Sequence, residues 1–210
     1  MLTLASGLAL SSVAAGSVAT ECSSKGFWSW LTGSNSEPAA DPSAWTPGVK
    51  RRPVKKNFIS GGRKAQRGLI LHVQEGQGSL FEWFSNPSAK VSAHFWVSQT
   101  GEIEQYVSAH DQAWAQRDGN AEWASVETSG FAAQPLTPAQ VEAVARIYQW
   151  GAREHGWALK LADHPQDTGL GTHAMGGSGW GLHECPGPSR SAQREAIMAR
   201  VLADRHSGES

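Results

Sequence analysis

The chain has 210 residues and a formal net charge of −1. That length accommodates one domain with tails and a core large enough to fold alone, and the near-neutral charge excludes a global electrostatic case for nucleic acid as partner. Two cysteines in unlike contexts, Cys22 and Cys185, argue against a disulfide framework. The ten tryptophans point instead to a surface that touches something, because indole joins a large apolar face to a polar edge.

Residues 1–20, MLTLASGLALSSVAAGSVAT, carry no charge. They resemble the core and small-residue end of a secretory signal, without its basic start, and are too rich in Ser for a membrane span. A lipoprotein reading would use Cys22, but Glu21 stands where a small residue is required. Residues 1–22 are therefore set apart as a signal-like segment. Residues 23–58 read as a linker, because SNSEPAADPSAWTPG has little periodic apolar content. The linker ends in a basic run, Lys50–Lys56, which is either solvated or a contact for anionic polymers.

The folded domain is expected over residues 59–205, with 206–210 as a tail. Gly68–Val73 (GLILHV) is a continuous apolar run interrupted by one His, the pattern of a buried central strand. Ser79-Leu-Phe-Glu82 has capping-box form and predicts a short helix carrying Trp83 and Phe84. Residues 91–98 and 102–107 flank Gln99-Thr100-Gly101 and predict a hairpin. Residues 124–128 predict a further strand. Thr137-Pro-Ala-Gln140 is a second capping box with Pro at the first helical position. Val141, Val144, Ala145 and Tyr148 then recur at helical spacing up to about His155, where Gly156 stops the helix. Residues 158–162 predict a short strand, 163–188 a Gly/Pro-rich loop, and 191–203 a last helix. Strands mixed with helices imply a single α/β domain with a central mixed sheet flanked by helices.

A long irregular loop inside a compact domain usually serves function. This one, Gly171–Pro188, reads GTHAMGGSGWGLHECPGP and holds His173, His183 and Cys185. Thiolate and imidazole are zinc ligands, and a catalytic site uses three protein ligands with a fourth position left for water. No closely paired ligands suggest a zinc finger. A third ligand must come from elsewhere, and His72, inside an otherwise apolar strand, is the best candidate. A lone His in such a strand is more often a satisfied core residue.

Five segments in order, ILHVQEG, VSAHFWVSQTGEIEQYV with the following AW, SVETSG, LTPAQV and GTHAMGG…HECPGP, make the stretch from Gly68 to Arg190 resemble the type 2 N-acetylmuramoyl-L-alanine amidases. These share their fold with the peptidoglycan recognition proteins. The wording is nearest to actinobacterial and actinophage members. The resemblance implies a Zn2+ ion held by His72, His173 and Cys185, with His164 as rival for the second position. It implies Glu127 as general base, because the position where another branch of the family carries a Tyr is Ala93 here. His183 falls where relatives carry a Lys or Thr that contacts the substrate carbonyl oxygen. His94, Trp114 and Trp180 are candidate substrate contacts, although His94 could instead make a structural bond to the sheet and Trp180 could equally pin its loop.

The implied activity is hydrolysis of the amide between the lactyl group of N-acetylmuramic acid and L-alanine. Peptidoglycan is then the partner, with no nucleic acid and no stable protein partner implied, and Lys50–Lys56 could touch anionic wall polymers. The protein would act at the cell wall, as a secreted enzyme or a phage lysin. A peptidoglycan-binding protein without activity, a hydrolase using Cys185 as nucleophile, and a nucleic-acid binder built on the basic run are the alternatives.

Overall fold

The computed structural model describes residues 41–207; the signal-like segment, Cys22 and the first part of the expected linker lie outside the described residues. Among the described residues there are eight strands: β1 (Lys50–Arg51), β2 (Phe58–Ile59), β3 (Gly68–Val73), β4 (Phe95–Val97), β5 (Ile103–Gln105), β6 (Gln112–Ala113), β7 (Ala124–Thr128) and β8 (Gly169–Thr172). The helices are α1 (Phe81–Ser85), α2 (Pro138–His155), α3 (Pro188–Ala192) and α4 (Arg194–Ser207). Six strands form one mixed sheet in the order β1-β5-β4-β7-β3-β8, and β2 pairs with β6 apart from it. Only β4 and β5 run antiparallel within the six; the other neighbours are parallel. This is the α/β domain expected from the sequence.

Alternation along the strands gives the sheet two unlike faces. Leu69 and Leu71 of β3, Phe95 and Val97 of β4, and Ala124 and Val126 of β7 join Val144, Ile147 and Tyr148 of α2 and Ile197 and Val201 of α4 in the main core. The residues between them, Ile70 and His72, Trp96, and Ser125 and Glu127, point the other way. Strand β3 reads as a continuous apolar run because helices cover one face and loops the other.

The long helix forms as its sequence dictates. Thr137 Oγ1 accepts from Gln140 N at 3.1 Å while Gln140 Oε1 accepts from Thr137 N at 3.1 Å. Gly156 ends the helix at φ 68°, a left-handed position that suits a residue without Cβ. The first predicted capping box does not form. Ser79 Oγ is engaged by Glu104 and Tyr106 instead, and α1 starts behind Leu80 with no side-chain cap.

Three further expectations are corrected. Residues 158–162 contribute only an isolated bridge, Leu161 to Leu170, rather than a strand. Part of the expected loop is strand β8, hidden from pattern reading by its glycines. A Cβ on Gly68 would meet the Gly169 carbonyl oxygen at 1.9 Å, and one on Gly171 would meet Met175 Sδ at 2.6 Å, so close packing here requires their absence. The last helical stretch starts earlier than expected and is broken into α3 and α4.

Residues 41–58 also do more than the linker composition suggests. Arg52 N and Val54 N donate to Gln105 O and Tyr106 O, extending the sheet edge, and Val54 and Asn57 are buried. Lys50 pairs with Glu104 at 2.8 Å, Arg52 with Glu104 at 3.2 Å, and Arg51 lies 4.1 Å over the Trp45 ring. Three of the five basic residues of the run thus serve the fold, while Lys55 and Lys56 are exposed.

Candidate metal centre

The site lies on the loop-covered face of the sheet, at the carboxyl ends of β3, β7 and β8, where open parallel sheets place their ligands. His72 and Glu127 face each other in register across β3 and β7. His173 follows β8 directly, opening a 3-10 stretch over His173–Trp180, and Cys185 lies in the turn that leads to α3. Ala174 N donates to Cys185 O at 2.9 Å and Val73 N to Cys185 Sγ at 3.3 Å, so backbone contacts hold both loop residues against β3. One donor atom each of His72, His173 and Cys185 lies within 4.8 Å of the others.

The hydrogen bonds fix which imidazole nitrogen is free. Gln116 is buried and its Nε2 donates to Trp123 O at 3.2 Å and towards Gly119 O at 3.5 Å. Its Oε1 therefore faces His72 Nε2, 3.3 Å away, which must carry the proton. Trp180 O, 2.9 Å from His173 Nε2, can only accept, so that nitrogen also carries a proton. Both rings are left with an unprotonated Nδ1, and that of His72 lies 3.8 Å from Cys185 Sγ. Burial holds the pKa of His72 well below the ordinary value, helped by His173, and burial likewise lowers that of His173. Neutral imidazoles with their second nitrogen anchored to an acceptor are the form that binds metal.

Burial, with Glu127 adding to it, pushes the Cys185 thiol up to about 12. A bound divalent cation would reverse that preference, since a coordinating thiol is deprotonated outright. Two nitrogens and one sulfur form a donor set suited to zinc, and three protein ligands leave a fourth position open. The residues present fit the ion.

Glu127 Oε1 lies 4.0 Å from His72 Nδ1, and Oε2 is buried without a hydrogen-bond partner. Burial pushes its pKa up to about 7, against a smaller opposing effect of Arg190. A carboxyl that exchanges protons near neutral pH, with an unused oxygen, is equipped for acid/base work. Arg190 is buried and donates to the carbonyls of Thr128, Ser129 and Gln134, which fixes the chain immediately after Glu127.

These groups open into a cleft of ≈ 620 Å³ lined also by Gln74, Leu80, Trp83, Val91 and His183. The His183 ring is exposed and stacks on His173, with centroids 4.5 Å apart. His164, the rival ligand, is exposed in the turn capped by Asp167 and stands outside the cluster. His94 does not face the cleft. It is fully buried, its Nδ1 accepting from Ser125 N at 3.1 Å and its Nε2 donating to Asp111 O at 3.1 Å, so it is a structural residue of the sheet. Trp114 is half-buried and lines an adjoining pocket with Lys90, Arg117 and His183. Trp180 touches that pocket too, but it is only 3% exposed and packs edge-on against Trp123. With its carbonyl on His173, it pins the loop.

Sequence reasoning missed Gln116, Arg190 and the cleft-facing role of Trp83. No local signal marks Gln116 or Arg190, whose partners are far away in the chain. A Trp among the first residues of a short helix could have been questioned as too exposed for a core residue.

The model of the family described as N-acetylmuramoyl-L-alanine amidase matches residues 62–188 of this chain. N-acetylmuramoyl-L-alanine amidase A of Achromobacter lyticus is 35% identical over 100 residues, which is 45% of this chain and 56% of that protein. The chain therefore matches little more than half the length of that relative. Among solved structures, N-acetylmuramoyl-L-alanine amidase LysC from Clostridium intestinale URNW superposes with TM-score 0.57 at 16% identity, covering 75% of this chain and 99% of that one. The Staphylococcus aureus hydrolase AmiA superposes with TM-score 0.61 at 14% identity, covering 76% and 86%. At these identities the superpositions establish the fold.

Proposed function

The chain belongs to the N-acetylmuramoyl-L-alanine amidase family, and from that premise we propose that it is a zinc-dependent hydrolase of peptidoglycan. The bond cut is the amide between the lactyl group of N-acetylmuramic acid and L-alanine. The observation that carries the reading is the convergence of His72, His173 and Cys185 with the unpartnered carboxyl of Glu127 in one cleft. His72, His173 and Cys185 would hold the ion, which when bound supplies Lewis acidity to water and to a substrate carbonyl.

The remaining chemistry belongs to the chain. Glu127 accepts the proton of the attacking water and returns it to the alanine nitrogen as the amide breaks. His183, exposed on the rim, donates a hydrogen bond to the lactyl carbonyl oxygen as charge gathers there; loss of one such donor typically costs about 10²- to 10³-fold. Gln116 and the Trp180 carbonyl keep the two imidazoles in the tautomer that leaves Nδ1 free.

Trp114 is retained as a substrate contact on the wall of the adjoining pocket. The catalytic domain takes in the packed stretch from residue 41 as well as residues 59–205. Contact with anionic wall polymers falls to Lys55 and Lys56, the exposed lysines of the basic run. The segments that carry the resemblance support an affinity with actinobacterial or actinophage members and action at the cell wall. A Cys185 nucleophile is disfavoured, because burial opposes the thiolate that such chemistry needs.

End-group analysis tests the reaction. Purified protein acting on isolated sacculi should release new amino-terminal alanine with no new reducing sugar ends. New reducing ends without alanine would assign a glycosidase instead.

A further inference from the structure

Trp83 is 52% exposed, unusual for the largest apolar side chain, and it faces the same cleft as His72 and Cys185. Its exposure is built into the fold. Leu80 N donates to Tyr106 Oη at 3.1 Å, and Asn57 Nδ2 donates to Phe84 O and Asn86 O, each at 2.8 Å, so both ends of α1 are pinned. Phe84 is buried, and the Trp83 ring stacks on it at 5.7 Å and 27°. Leu80 and Val91 continue this apolar wall. Glu75 and Glu184 line the same cleft and disfavour an anionic occupant beside it.

The adjoining pocket, reached past His173 and His183, has the opposite character. Lys90 and Arg117 line it, both are exposed, and neither makes an ion pair among the described residues. A muramoyl peptide has matching polarity about its scissile amide. On one side is an uncharged pyranose with an apolar C–H face, and on the other a peptide stem rich in carboxylates.

We propose that Trp83 is a specificity-determining residue whose indole stacks on the pyranose ring of N-acetylmuramic acid, directing the peptide stem towards Lys90 and Arg117. The inference rests on the amidase reading and adds the direction in which substrate lies. An aromatic face and a sugar ring pair through apolar contact with little side-chain entropy to lose on a pinned platform.

The test compares wild type, Trp83→Ala and Trp83→Phe, all zinc-loaded, on two substrates. One is a disaccharide muropeptide; the other is the same peptide carrying D-lactoyl in place of the muramoyl sugar. Trp83→Ala should raise KM on the muropeptide about five- to tenfold, the size of one stacking contact. It should leave kcat within about twofold on that substrate and cleavage of the lactoyl peptide unchanged. Trp83→Phe should recover most of the loss, and thermal unfolding should confirm that all three are folded. Equal losses on both substrates, or none on the muropeptide, would overturn the proposal. A wild type that cleaves neither substrate fails the amidase reading instead, and titration calorimetry with the muropeptide then decides the role of Trp83. Binding weakened by Trp83→Ala supports the platform, and unchanged binding overturns it.

Discussion

The two faces of the central sheet are made by the same strands and differ in nearly everything else. On the helix side, Leu69, Leu71, Phe95, Val97 and Val126 meet α2 and α4 in an apolar core. On the loop side, the intervening positions carry His72, Trp96 and Ser125, held by hydrogen bonds from other segments, and Glu127, whose carboxyl lies 4.0 Å from His72 with one oxygen unpartnered. One face is bound by area removed from water, which tolerates small changes of shape. The other depends on orientation, where one lost acceptor changes which nitrogen carries a proton. Stability and chemistry should therefore separate cleanly by face.

The separation is tested hardest at the donor set. Cys185→Ala should abolish metal binding and hydrolysis together, read by metal analysis and by peptide release. Glu127→Gln should keep the metal and lose about 10²- to 10⁴-fold in kcat, the range for a general base; full turnover in that variant would remove Glu127 from the mechanism. Gln116→Ala sharpens the comparison because it touches neither substrate nor metal. It should weaken zinc binding about 10- to 100-fold, measured by competition with a chromophoric chelator.

The helix face should answer in the opposite currency. Leu71→Ala, adjacent to His72 in the chain but fully buried on the core side, should cost about 2–5 kcal/mol of stability. At a temperature where the variant remains folded, its kcat should be unchanged. A fall in kcat as large as that of Glu127→Gln would break the division between the faces.

The smallest effect concerns His94, which is polar yet belongs to the structure and not to the cleft. Burial, then the Arg63 charge, lowers its pKa from the ordinary 6.5 to about 3. The native state therefore resists a proton that the unfolded chain accepts. His94 should contribute no pH dependence above about 7, and the stability it supports should be lost progressively as pH falls from about 6.5 towards 3. His94→Gln should flatten the melting-temperature profile across that window, leaving the profile above pH 7 parallel to wild type.

How much of this was legible in the sequence follows from the range of the interactions. β3, the β4–β5 hairpin, β7 and α2 are encoded by local periodicity and caps, so they can be read directly. β1, β2 and β6 are two-residue strands whose partners lie far along the chain, and β8 is glycine-rich because neighbouring atoms occupy the space of a side chain. The His72 position stands out as a polar break in an apolar run, and the His and Cys of the last loop stand out by their chemistry. The resemblance linked them. The tautomer locks were invisible, since Gln116 lies 44 residues from His72. His94 misled for the same reason that His72 did not. Both stand among apolar residues, His72 inside β3 and His94 just before β4, and only three-dimensional partners show that His94 is fully satisfied by Ser125 and Asp111.

The central claim is that metal and Glu127 act together on the lactyl amide. Mass spectrometry of soluble fragments, released from peptidoglycan by the purified protein with and without a zinc chelator, tests it most directly. The account predicts free stem peptides beginning at L-alanine, absent after chelation and restored by added zinc. Intact glycopeptides under every condition, across several wall types, would contradict it.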